Sequence, residues 1–344
     1  MRLLVRQWLF GVKMAFIKKF RKRLTHFLKK KGTHGACFGP DEKEDIEAAC
    51  KICEEIGIEF KVFDCAEQYE KIVLDNFKKE YLSGRTPNPC IWCNSLIKFE
   101  VLPHLAKENG IDFDKFATGH YARIAQGENG RFLLKKGVNP KKDQSYFLYR
   151  LRQDQLANIM LPLGDFTKEE IRDIAKKHGL EVAKKPDSQD FYEGDYNELL
   201  QVKDKIGNIV DTDGKVLGQH NGIWNYTIGQ RKGLGIASTK PLYVLELRND
   251  SNEVVVGFKD KTMHNTLVAT KLNWIAIENL ASEIKCKAKI RSTQEPTDVI
   301  IRSVGNGDVE VVFDNMQKSI AVGQSAVFYN DDLVIGGGII DLVK

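Results

Sequence analysis

The chain has 344 residues, of which 42% are hydrophobic and 29% are charged. A chain of this length and composition can form two or three globular domains, each with its own core. No run of residues is apolar enough to span a membrane, and the seven cysteines lack the spacing of a disulfide framework. We therefore expect a soluble protein without a membrane partner, in a reducing, cytoplasmic location.

The formal net charge of +5 is unevenly distributed along the chain. Residues 1–34 form a basic leader with eleven Lys or Arg residues and no acidic residue. The remainder holds 41 basic and 47 acidic residues, a net charge of −6. Because this larger part is mildly acidic, any binding of nucleic acid is expected to depend on local basic patches.

From Gly35 onward, predicted helices and strands alternate. Apolar residues at helical spacing predict a helix that Gly57 ends, and residues 58–64 are predicted as a buried strand. The following predicted elements are a helix marked by Tyr69, Ile72, Val73, Phe77 and Tyr81, a helix over 96–107, a strand over 113–118, and a helix with a capping box at Thr167 and Glu170 that Gly179 closes. This alternation predicts a parallel sheet covered on both faces, with ligands at the carboxyl ends of its strands.

After about Asp204 the pattern changes to short apolar alternations. Turn signals at 211–214 and 248–252 separate them. The last predicted strands lie at 300–301, 309–313, 325–329 and 333–340. This half of the chain is therefore predicted to be all-β, with a small antiparallel barrel at its end.

The segment GRTPNPCIWCN at 84–94 is the most informative part of the sequence. Pro87 and Pro89 restrict the backbone, so the loop is predicted to present Cys90 and Cys93 rigidly at the start of the next helix. Unpaired amides and the helix dipole there favour the thiolate, the form that attacks, carries sulfur or binds metal. We therefore predict reactive thiols, whereas the cysteines within predicted helices and strands serve as small apolar residues: Cys50, Cys53, Cys65 and Cys286.

Six stretches, taken together and in order, resemble the tRNA-specific 2-thiouridylase family. They are GRTPNPCIWCNSLIKF (84–99), ATGHYAR (117–123), KDQSYFL (142–148), KPDSQD (185–190), YTIGQRKGLG (226–235) and GQSAVFY (323–329). Each stretch alone is weak support, but their shared order from about Cys37 to Lys344 makes the resemblance specific.

The resemblance implies an α/β parallel-sheet adenylating domain of the ATP-pyrophosphatase kind, followed by a small central domain and a C-terminal antiparallel β-barrel that contacts tRNA. On this basis we divide the chain into the basic leader at 1–34, a catalytic domain at 35–203, a central domain at 204–268 and the barrel at 269–344.

The same resemblance implies the activity. In that family, ATP adenylates the wobble uridine of tRNA, and a sulfur carried by a cysteine then displaces AMP to give 2-thiouridine. ATP is the implied cofactor, and tRNA and a sulfur-donor protein are the implied partners. By position in the motifs, Cys93 is the implied nucleophile, Gly119 contacts ATP, and the implied tRNA-binding residues are Lys142, Asp143, Gln144, Arg291 and Ser292.

The sequence departs from the family pattern at the second catalytic cysteine. Tyr192 stands where many members have that cysteine, and Cys90 stands where many have an acidic residue. We therefore expect Cys90 and Cys93 to form the working pair of a persulfide relay. Together with Cys37 they would also suit an iron–sulfur cluster or a structural zinc, and a lone Cys-x-x-Cys does not choose among these.

A second departure concerns the leader. The family begins with a Ser-Gly-Gly-x-Asp-Ser loop that binds pyrophosphate, and residues 1–34 contain no such loop. We interpret the leader as a frameshifted or misassigned start, with an evolved RNA-binding arm as the alternative. The sequence as written predicts weak ATP binding, so two other functions stay open: a tRNA- or metal-binding remnant with little activity, and an adenylating sulfurtransferase for a small molecule.

Overall fold

A computed structural model of the chain describes residues 42–178 and 196–344. The leader, Cys37, Gly179, the 185–190 stretch and Tyr192 lie outside the described residues. Within the described ranges, no helix has the length and apolar character needed to cross a membrane. The chain divides into two compact units, and their described residues are 42–73, 89–178 and 332–334 in the first and 74–88, 196–331 and 335–344 in the second.

The helices follow the predicted order. The α-helices are Glu42–Glu55, Ala66–Tyr69, Asp75–Leu82, Pro89–Trp92, Leu102–Glu108, Gln153–Asn158, Lys168–Lys177 and Tyr196–Leu200; Glu70–Leu74 and Cys93–Val101 are π-helical, and Ser145–Leu148, Ile223–Asn225 and Lys259–Thr262 are 3₁₀ turns. Gly57 ends the first helix with a φ of +70°, as predicted. The amide of Ile58 then donates to the carbonyl of Cys53 at 2.9 Å, which satisfies a terminal carbonyl of the helix.

The predicted capping box at Thr167 is confirmed. The hydroxyl of Thr167 accepts a hydrogen bond from the Glu170 amide at 3.3 Å, and the Glu170 carboxylate accepts one from the Thr167 amide at 2.7 Å. These two bonds satisfy backbone donors that a helix start leaves without an intrahelical partner.

The first unit has two pairs of short strands. Strand β1 (Phe116–Ala117) pairs in parallel with β4 (Ile159–Met160), and β2 (Ala122–Gln126) forms an antiparallel hairpin with β3 (Phe132–Lys136). The strand that we predicted over 113–118 is thus confirmed in a shorter form. It ends immediately before Thr118 and Gly119, as expected for a ligand-binding edge.

The predicted strand over 58–64 is wrong. This segment is extended and buries Phe63, while Glu59 and Lys61 are exposed, but only Asp64 makes a β-bridge. Alternating burial indicates an extended chain with one covered side, and a strand also needs a neighbour for its backbone hydrogen bonds. The apolar pattern of the sequence does not indicate whether a second strand lies beside this segment.

The second unit contains a four-stranded sheet and a closed barrel. The sheet has the order β6–β5–β8–β7, where β5 is Gly207–Val210, β6 is Val216–His220, β7 is Tyr243–Arg248 and β8 is Glu253–Gly257. The barrel strands are β9 (Met263–Trp274), β10 (Ile284–Lys289), β11 (Thr297–Gly305), β12 (Asp308–Lys318), β13 (Ser325–Asn330) and β14 (Leu333–Val343). They run β13–β10–β11–β12–β9–β14, and a further β13–β14 pairing closes the barrel. The predicted C-terminal antiparallel barrel is therefore confirmed.

The barrel has a continuous apolar interior. Its fully buried residues include Leu267, Ala269, Ile301, Val311 and Ile340. Apolar side chains at alternate strand positions point to one face, and closure of the sheet turns that face inward. The alternating pattern of the second half of the sequence is explained by this packing.

Candidate functional site

Both candidate cysteines lie on the helix that begins at Pro89. The helix is α-helical over Pro89–Trp92 and π-helical over Cys93–Val101. Proline suits the first helical position because an amide hydrogen there would lack a partner within the helix. Cys90 is the second residue, within the turn where unpaired amides and the helix dipole favour a thiolate, and Cys93 lies one turn further along.

The two thiols are partly exposed, and their neighbours on the helix anchor it. Ile91 and Asn94 are only 1% and 3% exposed, whereas Cys90 and Cys93 are intermediate in burial and neither forms a disulfide. A π-helical turn begins at Cys93, and such turns are frequent at functional sites. The helix therefore buries Ile91 and Asn94 and leaves Cys90 and Cys93 partly exposed.

Other cysteines in the described part of the chain contrast with this pair. Cys53 and Cys65 are 4% and 3% exposed, and burial raises the pKa of Cys53. Burial also raises the pKa of Cys286 to about 12. The thiols of Cys53 and Cys286 therefore stay protonated, and Cys53 and Cys65 are buried as small apolar groups, as we predicted.

Three of the six family stretches meet in the first unit. The side-chain amide of Asn94, next to Cys93, donates to the carbonyl of Phe147 at 3.3 Å. The Gln144 amide donates to the Tyr121 carbonyl at 2.9 Å, and the Gln144 side chain accepts from the Tyr121 amide at 2.9 Å. Residues 89–99, 117–123 and 142–148 are thus linked by hydrogen bonds within the first unit, although they are far apart in sequence.

A cation lies against the cysteine helix. The guanidinium of Arg150 is 4.5 Å from the ring centroid of Trp92, the residue immediately before Cys93. A cation over an indole face is attracted by the ring, so this contact helps to hold the helix that carries Cys93. Sequence reasoning did not single out Arg150, which lies just after the 142–148 stretch.

Gly119 follows β1, and its neighbours are tightly held. The Thr118 amide donates to the Met160 carbonyl at 3.1 Å, and the Thr118 hydroxyl lies 2.7 Å from Nδ1 of His120. Burial, helped by the charge of Lys98, holds the pKa of His120 well below its ordinary value. The imidazole is therefore neutral at physiological pH and serves to fix the turn that presents Gly119.

Two of the predicted tRNA-binding residues also support the fold. The Asp143 carboxylate accepts hydrogen bonds from the Gly137 amide at 3.1 Å and from the Ser145 amide and hydroxyl at 3.1 and 2.9 Å. Gln144 pairs with Tyr121, as described above. Lys142, beside them, is partly exposed. Sequence reasoning missed this structural role of Asp143. The pattern that could have indicated it is an aspartate two residues before a serine in a turn.

Arg291 and Ser292 lie in the second unit, in the turn after β10. Nη2 of Arg291 donates to the carbonyls of Ser319 and Ile228 at 2.8 and 3.3 Å. Ser292 is partly exposed. Arg291 therefore connects the barrel to the 226–235 stretch, and its role in binding tRNA stays a prediction.

The loop before the cysteines is tied to the last family stretch. The Thr86 amide donates to the Val322 carbonyl at 2.8 Å, and the Gln324 side chain donates to the Thr86 carbonyl at 2.9 Å. Arg85 forms ion pairs with Glu80 at 2.6 Å and with Asp341 at 2.9 Å. Prolines predicted a stiff loop, and these bonds within the second unit add a second cause of stiffness.

A metal centre cannot be assembled from the described residues alone. No group of three His, Cys, Asp or Glu side chains within 42–178 and 196–344 has the arrangement of a metal site. The predicted ligand set of Cys37, Cys90 and Cys93 includes one residue outside those ranges, so it stays a prediction.

Comparison with known proteins agrees with this arrangement of motifs. Family models match residues 3–192 (tRNA methyl transferase HUP domain), 198–258 (tRNA methyl transferase PRC-barrel domain) and 264–340 (aminomethyltransferase beta-barrel domain). The tRNA-specific 2-thiouridylase MnmA of Endomicrobium trichonymphae is 50% identical over 308 residues, which cover 89% of this chain and 85% of the relative.

The chain belongs to the tRNA-specific 2-thiouridylase family. Two further members are similar over most of their length. The MnmA protein of Acetivibrio thermocellus is 45% identical over 303 residues, 86% of this chain and 84% of the relative. That of Clostridioides difficile strain 630 is 43% identical over 304 residues, with 86% and 84% covered.

Membership of the 2-thiouridylase family accounts for the fold. A HUP domain comes first, a PRC-barrel domain follows, and a closed six-stranded antiparallel barrel ends the chain. The order of domains that the motifs implied is therefore confirmed.

Proposed function

We propose that this protein is an ATP-dependent tRNA-uridine 2-sulfurtransferase that converts the wobble uridine of tRNA to 2-thiouridine. The observation that carries the proposal is the partly exposed Cys90–Cys93 pair at the start of a helix, where three stretches of the family meet. Membership of the 2-thiouridylase family supports it, because its relatives are named for this reaction.

The first step activates the uridine. The C2 carbonyl oxygen attacks the α-phosphorus of ATP, pyrophosphate leaves, and the oxygen becomes part of an AMP leaving group. Gly119 fits a nucleotide contact since it lies at the carboxyl end of a parallel strand and carries no side chain to keep a ligand from the backbone. ATP, as substrate, supplies the energy that makes the carbonyl oxygen a good leaving group.

The second step transfers sulfur. The terminal sulfur of a persulfide on Cys93 attacks C2 and AMP leaves, so that the RNA is joined to Cys93 through a disulfide. The Cys90 thiolate then attacks Sγ of Cys93, which breaks that bond and releases the thiocarbonyl. A Cys90–Cys93 disulfide remains, and a dithiol reductant restores the thiols. Residues three apart on a helix lie on the same side, which suits this pairing.

Two partners follow from this chemistry. A sulfur-donor protein must reload Cys93 with a persulfide, and the partial exposure of the cysteine pair allows such a transfer. The tRNA is proposed to contact Lys142, Asp143 and Gln144 in the first unit, and Arg291 with Ser292 on the barrel. Lysine and arginine suit phosphate, whereas aspartate and glutamine can also bind base edges.

An assay of pyrophosphate release with and without tRNA tests the proposal. We expect release that depends on tRNA, together with 2-thiouridine detected by mass spectrometry of the digested RNA. Release without tRNA would indicate a small-molecule substrate, and tRNA binding without release would indicate a remnant. Cys93→Ser should abolish thiolation and leave tRNA binding nearly intact, whereas the control Cys50→Ser should change neither.

An iron–sulfur cluster held by Cys37, Cys90 and Cys93 is the alternative form of the sulfur chemistry. Anaerobic purification, followed by an absorption spectrum and assays of iron and acid-labile sulfide, distinguishes the two. We expect a protein without iron that carries sulfur removable by a thiol reductant. Stoichiometric iron and sulfide would replace the persulfide relay with cluster chemistry.

A further inference from the structure

A loop of the second unit, residues 231–243, closes on itself at its base, and we call it the basic loop. The Gly229 amide donates to the Val244 carbonyl at 2.8 Å, and the Val244 amide donates to the Gln230 carbonyl at 2.9 Å. A loop of this length whose ends meet is an Ω-loop, a kind of segment that is often functional. These two hydrogen bonds therefore hold the two ends of the basic loop together.

Side chains on both sides stiffen this base. The Gln230 side chain accepts from the Thr227 amide at 3.0 Å and donates to the Lys232 carbonyl at 3.0 Å. Leu234 is only 8% exposed and anchors the first half of the loop. Tyr243 at the other end is also 8% exposed, and Ile236 and Leu242 are half-buried. The other residues of the basic loop are exposed to solvent, so the loop presents its charged residues outward.

All charged residues of the basic loop are positively charged. Its exposed cations are Arg231, Lys232 and Lys240. No acidic residue lies between Asp213 and Glu246, and none of the three cations forms an ion pair with any described residue. Because residues 35–344 carry a net charge of −6, this is a local basic patch of the kind that nucleic-acid binding by such a chain requires.

The basic loop also lines a cavity that is open to solvent. Residues between Arg231 and Leu242 line a cavity of about 580 Å³, and the exposed hydroxyls of Ser238 and Thr239 belong to its wall. Hydroxyls, backbone amides and cations are the groups that contact phosphate and sugar in complexes with nucleic acids. The cavity therefore has the donors that a sugar-phosphate backbone needs.

A fourth cation extends the patch onto the barrel. Nζ of Lys318, an exposed residue at the end of β12, lies 4.7 Å from the ring centroid of Tyr243, the last residue of the basic loop. The positive surface thus continues from the four-stranded sheet to the barrel within the second unit.

We propose that the basic loop binds the sugar-phosphate backbone of the tRNA substrate through Arg231, Lys232 and Lys240. The inference rests on the proposed function, because it takes tRNA as the substrate. An RNA backbone fits better than a free anion since the cations are spread along an exposed loop and do not converge on one buried point. Contacts of this kind raise affinity without reading sequence.

The test measures how tRNA affinity depends on salt. Fluorescence anisotropy gives the dissociation constant at a series of KCl concentrations for the wild type and for the triple variant R231Q/K232Q/K240Q. Each lost phosphate contact lowers the slope of log affinity against log salt by about 1, so we expect the slope to fall by about 3. Arg231→Lys keeps the charge and should keep the wild-type slope.

A matched control removes the same charge elsewhere. Lys51, Lys61 and Lys71 are exposed and form ion pairs with Glu55, Glu59 and Glu67. The variant K51Q/K61Q/K71Q should keep both the wild-type slope and thiolation. A wild-type slope in the loop variant, or an equal fall in the control, would overturn the inference while leaving the proposed function intact. A wild type that does not bind tRNA would overturn both.

A second arm distinguishes RNA backbone from free phosphate. The titration is repeated in potassium phosphate at the same ionic strength as KCl. Equal tRNA affinity in the two salts supports a site for the RNA backbone. The wild type could instead bind tRNA more weakly in phosphate than in KCl, with no such difference in the loop variant. That result would identify a site for the free anion and overturn the inference.

Discussion

Gly323 lies directly against the backbone of Thr86. A Cβ atom added to Gly323 would be 2.8 Å from the Thr86 nitrogen, closer than real Cβ contacts allow. The two residues belong to the first and the last of the six family stretches, and Thr86 is four residues before Cys90. This close approach explains why a glycine is needed there, and it connects the loop of the cysteines to the barrel sequence.

We predict that Gly323→Ala destabilises the protein more than Gly305→Ala does. Both glycines have a similar left-handed backbone, with φ of +93° and +92°. The Cβ atom of an alanine at Gly305 would meet no atom within 4 Å. The substitution therefore costs only the strain of a left-handed backbone at a residue with a side chain, about 1–2 kcal/mol in the free energy of unfolding. Alanine at Gly323 adds the clash with Thr86. Urea denaturation of the two variants measures the difference.

The same pair of variants tests whether the contact between Gly323 and Thr86 matters for activity. At a temperature where both are folded, Gly323→Ala should lower thiolation and Gly305→Ala should not. Equal thiolation in both variants would show that the cysteine loop does not depend on its contact with Val322, Gly323 and Gln324.

A second prediction separates the roles of the two cysteines. Cys90→Ser should still accept sulfur on Cys93 and attack the adenylated RNA, but it lacks the thiolate that resolves the product. tRNA should therefore accumulate in a disulfide-linked complex with the protein, visible on a non-reducing denaturing gel and released by dithiothreitol. Cys93→Ser should give neither complex nor product. A complex that forms in Cys93→Ser but not in Cys90→Ser would reverse the assignment.

A third prediction separates structural from tRNA-binding roles in the 142–148 stretch. Asp143→Ala leaves the donors of Gly137 and Ser145 without their acceptor, so we expect a loss of about 1–3 kcal/mol in the free energy of unfolding. Lys142→Ala removes a partly exposed cation, and it should weaken tRNA binding with little change in stability. Thermal unfolding and anisotropy measured on both variants distinguish these effects; an unchanged melting temperature in Asp143→Ala would contradict the structural role.

Sequence patterns predicted those features that depend on local chemistry. The capping box at Thr167, the helix end at Gly57 and the strands of the barrel follow from side chains close in sequence, and each is confirmed. The strand predicted at 58–64 failed since pairing depends on a distant neighbour.

The candidate site was predictable only in part, for the same reason. Cys90 and Cys93 could be found from the proline-rich loop and the spacing of the thiols. The contact of Arg150 with the Trp92 ring and the pairing of Gln144 with Tyr121 join segments that are separated in the chain. No local pattern encodes such contacts, so only the folded structure shows them.

The last prediction concerns pH and Glu310 in the barrel. Its side chain is 9% exposed, and its carboxylate accepts from Lys344 at 2.8 Å and from Arg302 at 2.5 Å. The hydrogen bond from Lys344, then that from Arg302, lowers the pKa of Glu310. The carboxylate therefore contributes stability above the ordinary glutamate pKa of about 4.3, and this contribution is lost as the pH falls through the lower native pKa.

Glu310→Gln should reveal this contribution in urea denaturation at a series of pH values. At pH 7 we expect a loss of about 1–3 kcal/mol, because charge-assisted hydrogen bonds are lost in a buried place. The curves of variant and wild type should converge as the pH falls below about 4. Glu246→Gln is the matched control: its pair with Arg248 is exposed, so a change of at most about 1 kcal/mol is expected. Parallel curves for Glu310→Gln and the wild type down to pH 3 would contradict a lowered pKa, because a carboxylate whose pKa is lower in the native barrel than in the unfolded chain must lose stabilising free energy once the unfolded chain takes up the proton, below about pH 4.3.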